Sequence, residues 1–311
     1  MPPELLPALA ARARSAAHFD GAPCVQCRPP VTLADRPDAA VVRHAGAVAK
    51  AHAPGTDPAE LAARLATAAR LPGILLPPCG PDPADVNGRL VTCWPYGAPV
   101  DPEDPDAAPW EAAATLLARL HRTQPPPGLP PMRGPARAAR AVARLEAAAG
   151  RGSAGRVPAR AVLHAWSVLP AWARAEGPAP GRASLCHGDL HLGQLVRHPA
   201  PDGPWLLIDV DDLGLGAPAW DLARPAAWFA CGLLPPDEWN RFLTAYREAG
   251  GPAVPADGDP WPALDVPARA LTVQGAARAL VRAAEGRRPP DEVEEALVDA
   301  CARMRSAPLG S

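Results

Sequence analysis

The spacing of apolar positions along the chain changes character near residue 95. Before it, short runs of small and β-branched residues are broken by turn signals; after it, apolar residues recur mostly three and four apart. Residues 4–17 read as a short helix. Cys24–Arg28, Ala39–Arg43 and Ala47–Ala51 read as strands, with His44, Ala45 and Gly46 as the turn between the last two. Thr56 or Asp57 caps the helix that follows. Pro58 suits its first turn, Glu60 completes a capping-box spacing, and Leu61, Leu65, Ala68 and Ala69 form its apolar stripe. Leu90–Trp94 is a further strand, ended by Pro95 and Gly97.

Beyond that point the pattern predicts helices. Pro109–Arg122 has Trp110, Leu116, Leu117 and Leu120 in register, and a Pro-rich connection over 124–135 follows. Helices are expected over Arg137–Ala149, Ala159–Ala175, Ala219–Cys231, Pro236–Ala249, Val266–Ala284 and Asp291–Arg305, with a Pro/Gly loop over Gly250–Pro262. Between them, Leu185–Val196 reads as a loop between short strands and Trp205–Asp209 as a buried strand. The pattern divides the chain into a sheet with one helix over 1–94 and a mainly helical part over 95–311. The fold class is α+β.

Composition narrows the function classes. The 311 residues carry a formal net charge of -2, which points to neither nucleic acid nor membrane as partner. The charge is unevenly spread: residues 1–200 hold 21 Arg and Lys against 16 Asp and Glu, residues 201–311 hold 10 against 17. An acidic C-terminal third would suit a cationic ligand. Seven cysteines without framework spacing fit a reducing compartment. Cys24 and Cys27 form a single CxxC, and a zinc site would need further ligands. No apolar run reaches about 18 residues and no signal-peptide apolar segment opens the chain, so a cytoplasmic location is expected. Thirty arginines stand beside one lysine, Lys50, and an ammonium is a compact point charge where a guanidinium is a wide fork.

The stretch Leu185–Ala223, LCHGDLHLGQLVRHPAPDGPWLLIDVDDLGLGAPAWDLA, carries the chemistry. Asp189, Gln194 five residues on, and Asp209 after the apolar run WLLI have the layout of a phosphoryl-transfer site: one carboxylate for the acceptor hydroxyl and two oxygen ligands for magnesium on nucleotide phosphates. Lys50, after a hairpin turn in AVAK, reads as the phosphate clamp, paired with Glu60 on the next helix. His187 shapes the catalytic loop, and Asp221, at a helix start, braces it. Asp211 shares a strand face with Asp209, while Asp212 points away if the strand continues.

HGDLHLGQ followed by IDVDDLGLGAPAWDLA resembles the aminoglycoside phosphotransferase and choline kinase superfamily, whose pattern is HGDxxxxN, then ID, a Gly-containing loop and DLA. AVAK, the capped helix, TCWPYG and LLARLHR extend the resemblance over nearly the whole chain. It implies a bilobal protein-kinase-like fold with ATP in the cleft, GTP remaining open. Lys50 would meet the α/β-phosphates, Asp189 the acceptor hydroxyl, Gln194 and Asp209 Mg²⁺, and the hinge around Cys93 and Trp94 the adenine. Three features depart from the pattern: Gln194 replaces the usual Asn, Pro95 removes a hinge N–H, and Pro29–Asp38 stands where a Gly-rich phosphate loop is usual. The expected acceptor is a small molecule, a cationic antibiotic held by Asp211, Asp237, Glu238 and Asp265, with resistance as the outcome. The alternatives are a sugar or metabolite kinase of maltose type, to which the HGDxHLGQ form is similar, and a nucleotide-binding pseudokinase. A monomer and a homodimer are both compatible with the sequence.

Overall fold

The computed structural model describes residues 4–18, 27–150 and 156–304. The chain forms two compact units. The first comprises residues 1–109, 126–130 and 192–211, the second residues 110–125, 131–191 and 212–311. The division is not a single cut: the segment carrying Gln194 and Asp209 returns to the first unit.

In the first unit, α1 (Leu5–Ala17) packs on a five-stranded antiparallel sheet of β1 (Val31–Asp35), β2 (Ala40–His44), β3 (Ala47–Ala51), β4 (Ala84–Val86) and β5 (Arg89–Pro95), in the order β1-β2-β3-β5-β4. Leu5, Leu9 and Ala13 meet Ala40, Val42, Ala49, Ala51 and Val91, so one helix stripe covers one sheet face. The small size of these sheet residues lets the helix lie close. Helix α2 (Pro58–Ala69) is capped by Asp57, whose carboxylate accepts from Glu60 N–H at 2.9 Å. A second, three-stranded sheet joins Ala98–Pro99, Leu195–Arg197 and Trp205–Leu207.

Two strands of the five-stranded sheet are absent from the sequence reading. β1 is an edge strand with Val31 and Leu33 exposed, so it lacks the half-buried alternation that marks a strand. β4 has three residues and is held by its pairing with β5. The strand expected over Cys24–Arg28 falls largely outside the described residues; Cys27 and Arg28 belong to no strand.

The second unit holds α3 (Trp110–Arg122), α4 (Gly134–Gly150), α5 (Arg156–Ser167), α6 (Ala219–Ala230), α7 (Pro236–Glu248), α8 (Trp261–Gly286) and α9 (Glu292–Met304). Strand Ser184–Cys186 pairs antiparallel with Gly214–Gly216. Val142, Leu145, Val162, Val273, Leu280 and Leu297 build a core shared by α4, α5, α8 and α9. The helix expected over Ala159–Ala175 stops at Ser167, because Pro170 cannot continue it, and a short 3₁₀ turn follows at Ala171–Arg174. No described helix is long and apolar enough to cross a membrane.

Gly134, at the start of α4, lets that helix approach the Trp220 indole on α6; a β-carbon there would overlap the ring. Arg137 and Arg224, on the same two helices, both reach Asp189. Gly134→Ala is expected to lower stability by about 1–3 kcal/mol, as overpacking does, measured by urea denaturation of the full chain.

Candidate active site

In the first unit β3 and β5 pair so that Lys50 lies opposite Thr92. Lys50 Nζ contacts Asp209 Oδ1 at 2.7 Å and Asp211 Oδ2 at 2.9 Å. The second oxygen of Asp211 takes a 2.6 Å contact from His52 Nδ1, and His52 Nε2 is 2.8 Å from Thr92 Oγ1. Thr92 Oγ1 accepts from the Trp94 indole N–H at 2.8 Å. With that lone pair taken, the Thr92 hydroxyl is free to donate to His52 Nε2, which leaves Nδ1–H to donate to Asp211. A chain of polar groups thus runs from Trp94 to the acidic pair.

Burial alone would lower the Lys50 pKa, but Asp209 and Asp211 outweigh it and hold the ammonium above its usual range. Burial likewise works against both carboxylates, and Lys50 holds each below the usual carboxylate range, helped at Asp211 by His52. The strand Trp205–Leu207 ends two residues before Asp209, which adopts φ 67, a left-handed conformation that Asp takes more readily than most residues with a β-carbon. The turn returns Asp211 to the same ammonium as Asp209.

Gln194 Nε2 lies 3.4 Å from Asp209 Oδ2. Asp209, Asp211 and Gln194 together supply carboxylate and amide oxygens, the hard donors that magnesium takes. The fit requires the Gln194 amide to present its oxygen instead of the nitrogen that now faces Asp209.

Several expectations change. Glu60 pairs with Arg64, one turn on, at 3.0 Å, and not with Lys50, whose charge is already met by two aspartates. Asp211 belongs to the Lys50 cluster and not to an acceptor pocket. Cys93 and Trp94 lie inside β5: the Cys93 carbonyl accepts from Cys79 N–H at 2.8 Å, and the Trp94 ring is buried against Thr92. Neither is placed as an open hinge. Of the remaining acidic candidates, Glu238 accepts from Trp110 Nε1 at 2.7 Å, Asp265 pairs with Arg269 at 2.8 Å, and Asp237 is exposed in the first turn of α7.

In the second unit, the strand Ser184–Cys186 leads directly into His187, Gly188 and Asp189. Gly188 has φ +86, and a β-carbon there would strike the Asp212 carbonyl, so this position requires glycine. Asp221, almost wholly buried on α6, accepts from His187 N–H at 2.6 Å and Gly188 N–H at 2.7 Å. Its Oδ2 also meets His121 Nε2 at 3.0 Å; His121 Nδ1 is 2.7 Å from the Tyr246 hydroxyl, which accepts from Ala253 N–H at 3.0 Å. His121 lies in the LLARLHR segment, without a role assigned to it there, and Tyr246 has no signature in the sequence beyond helical spacing.

Asp189 itself sits among arginines. Its Oδ1 meets Arg224 Nη2 at 2.5 Å and its Oδ2 meets Arg137 Nη1 at 2.8 Å. Arg137 also pairs closely with Asp212, which is buried in the turn after Asp209 and faces away from Lys50, the strand having ended at Leu207. Arg224 Nε donates to the Leu190 carbonyl at 2.9 Å, tying the same loop to α6. Arg278 on α8 is pushed down to about 10, first by burial and then by Arg137 and Arg224, with Asp189 and Asp212 opposing.

Residues 31–265 match the family model of the phosphotransferase enzyme family. The chain belongs to this family. No curated protein matches the sequence. Among solved structures, this phosphotransferase is similar to a choline/ethanolamine kinase family protein from Mesorhizobium loti, at 20% identity and TM-score 0.57, covering 96% of this chain and 94% of that one. It is also similar to a spectinomycin phosphotransferase in complex with ADP and spectinomycin, at 14% identity and TM-score 0.54, covering 91% and 90%. A third is an aminoglycoside phosphotransferase in complex with AMP-PNP and hygromycin B, at 14% identity and TM-score 0.58, covering 91% and 95%. The fold is that of the protein-kinase-like small-molecule phosphotransferases, with a small antiparallel sheet and a larger helical part.

Two outcomes follow from these geometries. Lys50→Met leaves Asp209 and Asp211 facing each other without the ammonium. The carboxylates have lowered native pKa values, so the Lys50 contribution is present above about pH 4 and fades as pH falls through the native values. The raised Lys50 pKa keeps that contribution until pH rises past about 10. Urea denaturation should therefore show Lys50→Met less stable than wild type between pH 5 and 9, and the gap should shrink toward pH 3. Separately, Asp221→Asn loses acceptor capacity facing three donors. Displacing the Asp189 loop this way is expected to lower kcat by roughly 10²-fold, the scale of a misplacement of about 1 Å, with the ATP KM little changed in steady-state assays.

Proposed function

We propose that this phosphotransferase moves the γ-phosphoryl group of ATP to a hydroxyl of a small molecule that carries an anionic group. The observation that carries the acceptor class is the setting of Asp189: Arg137, Arg224 and Arg278 surround it, against two carboxylates, Asp189 and Asp212. Arg278 makes neither hydrogen bond nor ion pair with a described residue. A guanidinium fork matches a carboxylate or phosphate two bonds at a time, and a partly buried guanidinium without an anion is costly.

In the reaction Asp189 orients the acceptor hydroxyl and takes its proton as the oxygen bonds to the γ-phosphorus and the bond to ADP breaks. Such transfers have a loose transition state, so positioning and charge neutralisation matter more than base strength. Lys50 would neutralise nucleotide phosphate charge. Asp209 and Gln194, with Asp211 beside them, would hold magnesium, which when bound shields the phosphate oxygens. Two of the solved relatives were crystallised with ADP or AMP-PNP, which supports adenine nucleotide as donor.

A cationic antibiotic as acceptor is the competing reading, and the spectinomycin and hygromycin B in those two structures favour it. Its weakness lies in the carboxylates on which it rested. Asp211, Glu238 and Asp265 already have partners within the chain. One assay separates the readings. Hydroxy acids and sugar phosphates, each beside its amide or dephosphorylated counterpart, and a set of aminoglycosides are incubated with Mg·ATP and followed by mass spectrometry. Phosphate is expected on anionic members only. Asp189→Asn should slow it by roughly 10²–10⁴-fold, and Arg278→Ala should raise the acceptor KM more than the ATP KM. Phosphate on the aminoglycosides alone would establish the antibiotic reading. Transfer to none, with Mg·ATP still bound, would favour a pseudokinase.

A further inference from the structure

Far from these carboxylates in sequence, three potential metal donors of the first unit converge. His18 caps the C-terminus of α1, His44 ends β2, and Cys27 precedes β1. The two Nε2 atoms are 3.2 Å apart, Cys27 Sγ is 3.4 Å from His18 Nε2, and all three ligand atoms lie within 4.8 Å of one another. From sequence the CxxC of Cys24 and Cys27 lacks further ligands; the fold supplies two histidines. Cys24 lies outside the described residues.

Hydrogen bonding accounts for only part of this arrangement. An imidazole nitrogen has one in-plane site, either an N–H or a lone pair. His18 Nε2 therefore serves His44 or Cys27 well, not both. A metal ion uses one lone pair from each donor and satisfies all three. The distances agree with that use. Bonds of about 2.0–2.1 Å to nitrogen and about 2.3 Å to sulfur in a tetrahedron place donors about 3.3 Å apart for two nitrogens and about 3.6 Å for nitrogen and sulfur. His44 is buried, so a metal bound there would be shielded from water on that side. Arg14 opposes a bound cation, and the Cys27 thiolate offsets it.

We propose that His18, Cys27 and His44 form a zinc site that ties the end of α1 to the end of β2. Mixed imidazole and thiolate donors select zinc over magnesium, so this site is chemically separate from the oxygen donors around Asp209. Three side chains leave the fourth position of the tetrahedron to water. The site's role is to fix the end of the helix whose Leu5, Leu9 and Ala13 cover the sheet.

The test is metal content and cobalt spectroscopy on the full chain. After loading with zinc and dialysis against metal-free buffer, wild type is expected to keep one zinc per chain by elemental mass spectrometry. Cobalt in its place should give a thiolate-to-cobalt charge-transfer band in the near ultraviolet. Cys27→Ser should lose that band, and both Cys27→Ser and His44→Gln should retain less than a tenth of the zinc, while Cys79→Ser, at an exposed cysteine, retains it all. Should His44→Gln fail to fold, the wild-type and Cys27→Ser measurements still decide. Wild type without zinc and without a charge-transfer band would overturn the proposal, as would a Cys27→Ser protein that keeps stoichiometric zinc.

Discussion

The carboxylate of Asp221 is the constraint on which the catalytic loop depends. It is buried, and a buried charge needs several donors to be tolerated. It finds them in the main-chain N–H groups of His187 and Gly188 and in His121. Those same bonds hold a tight turn open at Asp189, with Gly188 in a conformation only glycine takes easily. His121 is held in turn by Tyr246, and Tyr246 by Ala253, so α3, α6, α7 and the segment after α7 all contribute to one loop. The helical unit is in this sense built around the placement of a single side chain.

The sheet unit solves a different electrostatic problem. Asp209 and Asp211 repel one another; the Lys50 ammonium between them offsets that repulsion, and His52 donates a hydrogen bond to Asp211. The ammonium and the acidic pair thereby hold one another in place. The left-handed backbone at Asp209 is part of the same device, since an extended residue there would carry Asp211 away from Lys50. In the helical unit the local balance at Asp189 is the reverse, with arginines gathered around a carboxylate.

Much of this was legible in the residues. Periodicity located the helices because their apolar stripes are long, and it located β2, β3 and β5 because turns punctuate them. It missed β1 and β4, where an exposed edge and a three-residue length leave no alternation to read. Asp189, Gln194, Asp209 and Lys50 stood out by spacing and by rarity. Their partners did not: Arg137, Arg224 and Arg278 are three arginines among thirty, and His52 carries no local mark.

The sequence by itself determined the class of chemistry, because oxygen donors and a single ammonium in that order suit phosphoryl transfer and little else. It also determined the helical and strand-rich portions of the chain, because apolar period is a local property. Only the tertiary structure decided which charge meets which. Lys50 and Asp209 are 159 residues apart in sequence and 2.7 Å apart in space. Glu60, much closer along the chain, pairs with Arg64 instead. Coulomb energy falls with distance through space and is indifferent to distance along the chain. Partner choice, and with it the sign of the acceptor's surroundings and the meeting of His18, Cys27 and His44, therefore emerges only when the chain is folded.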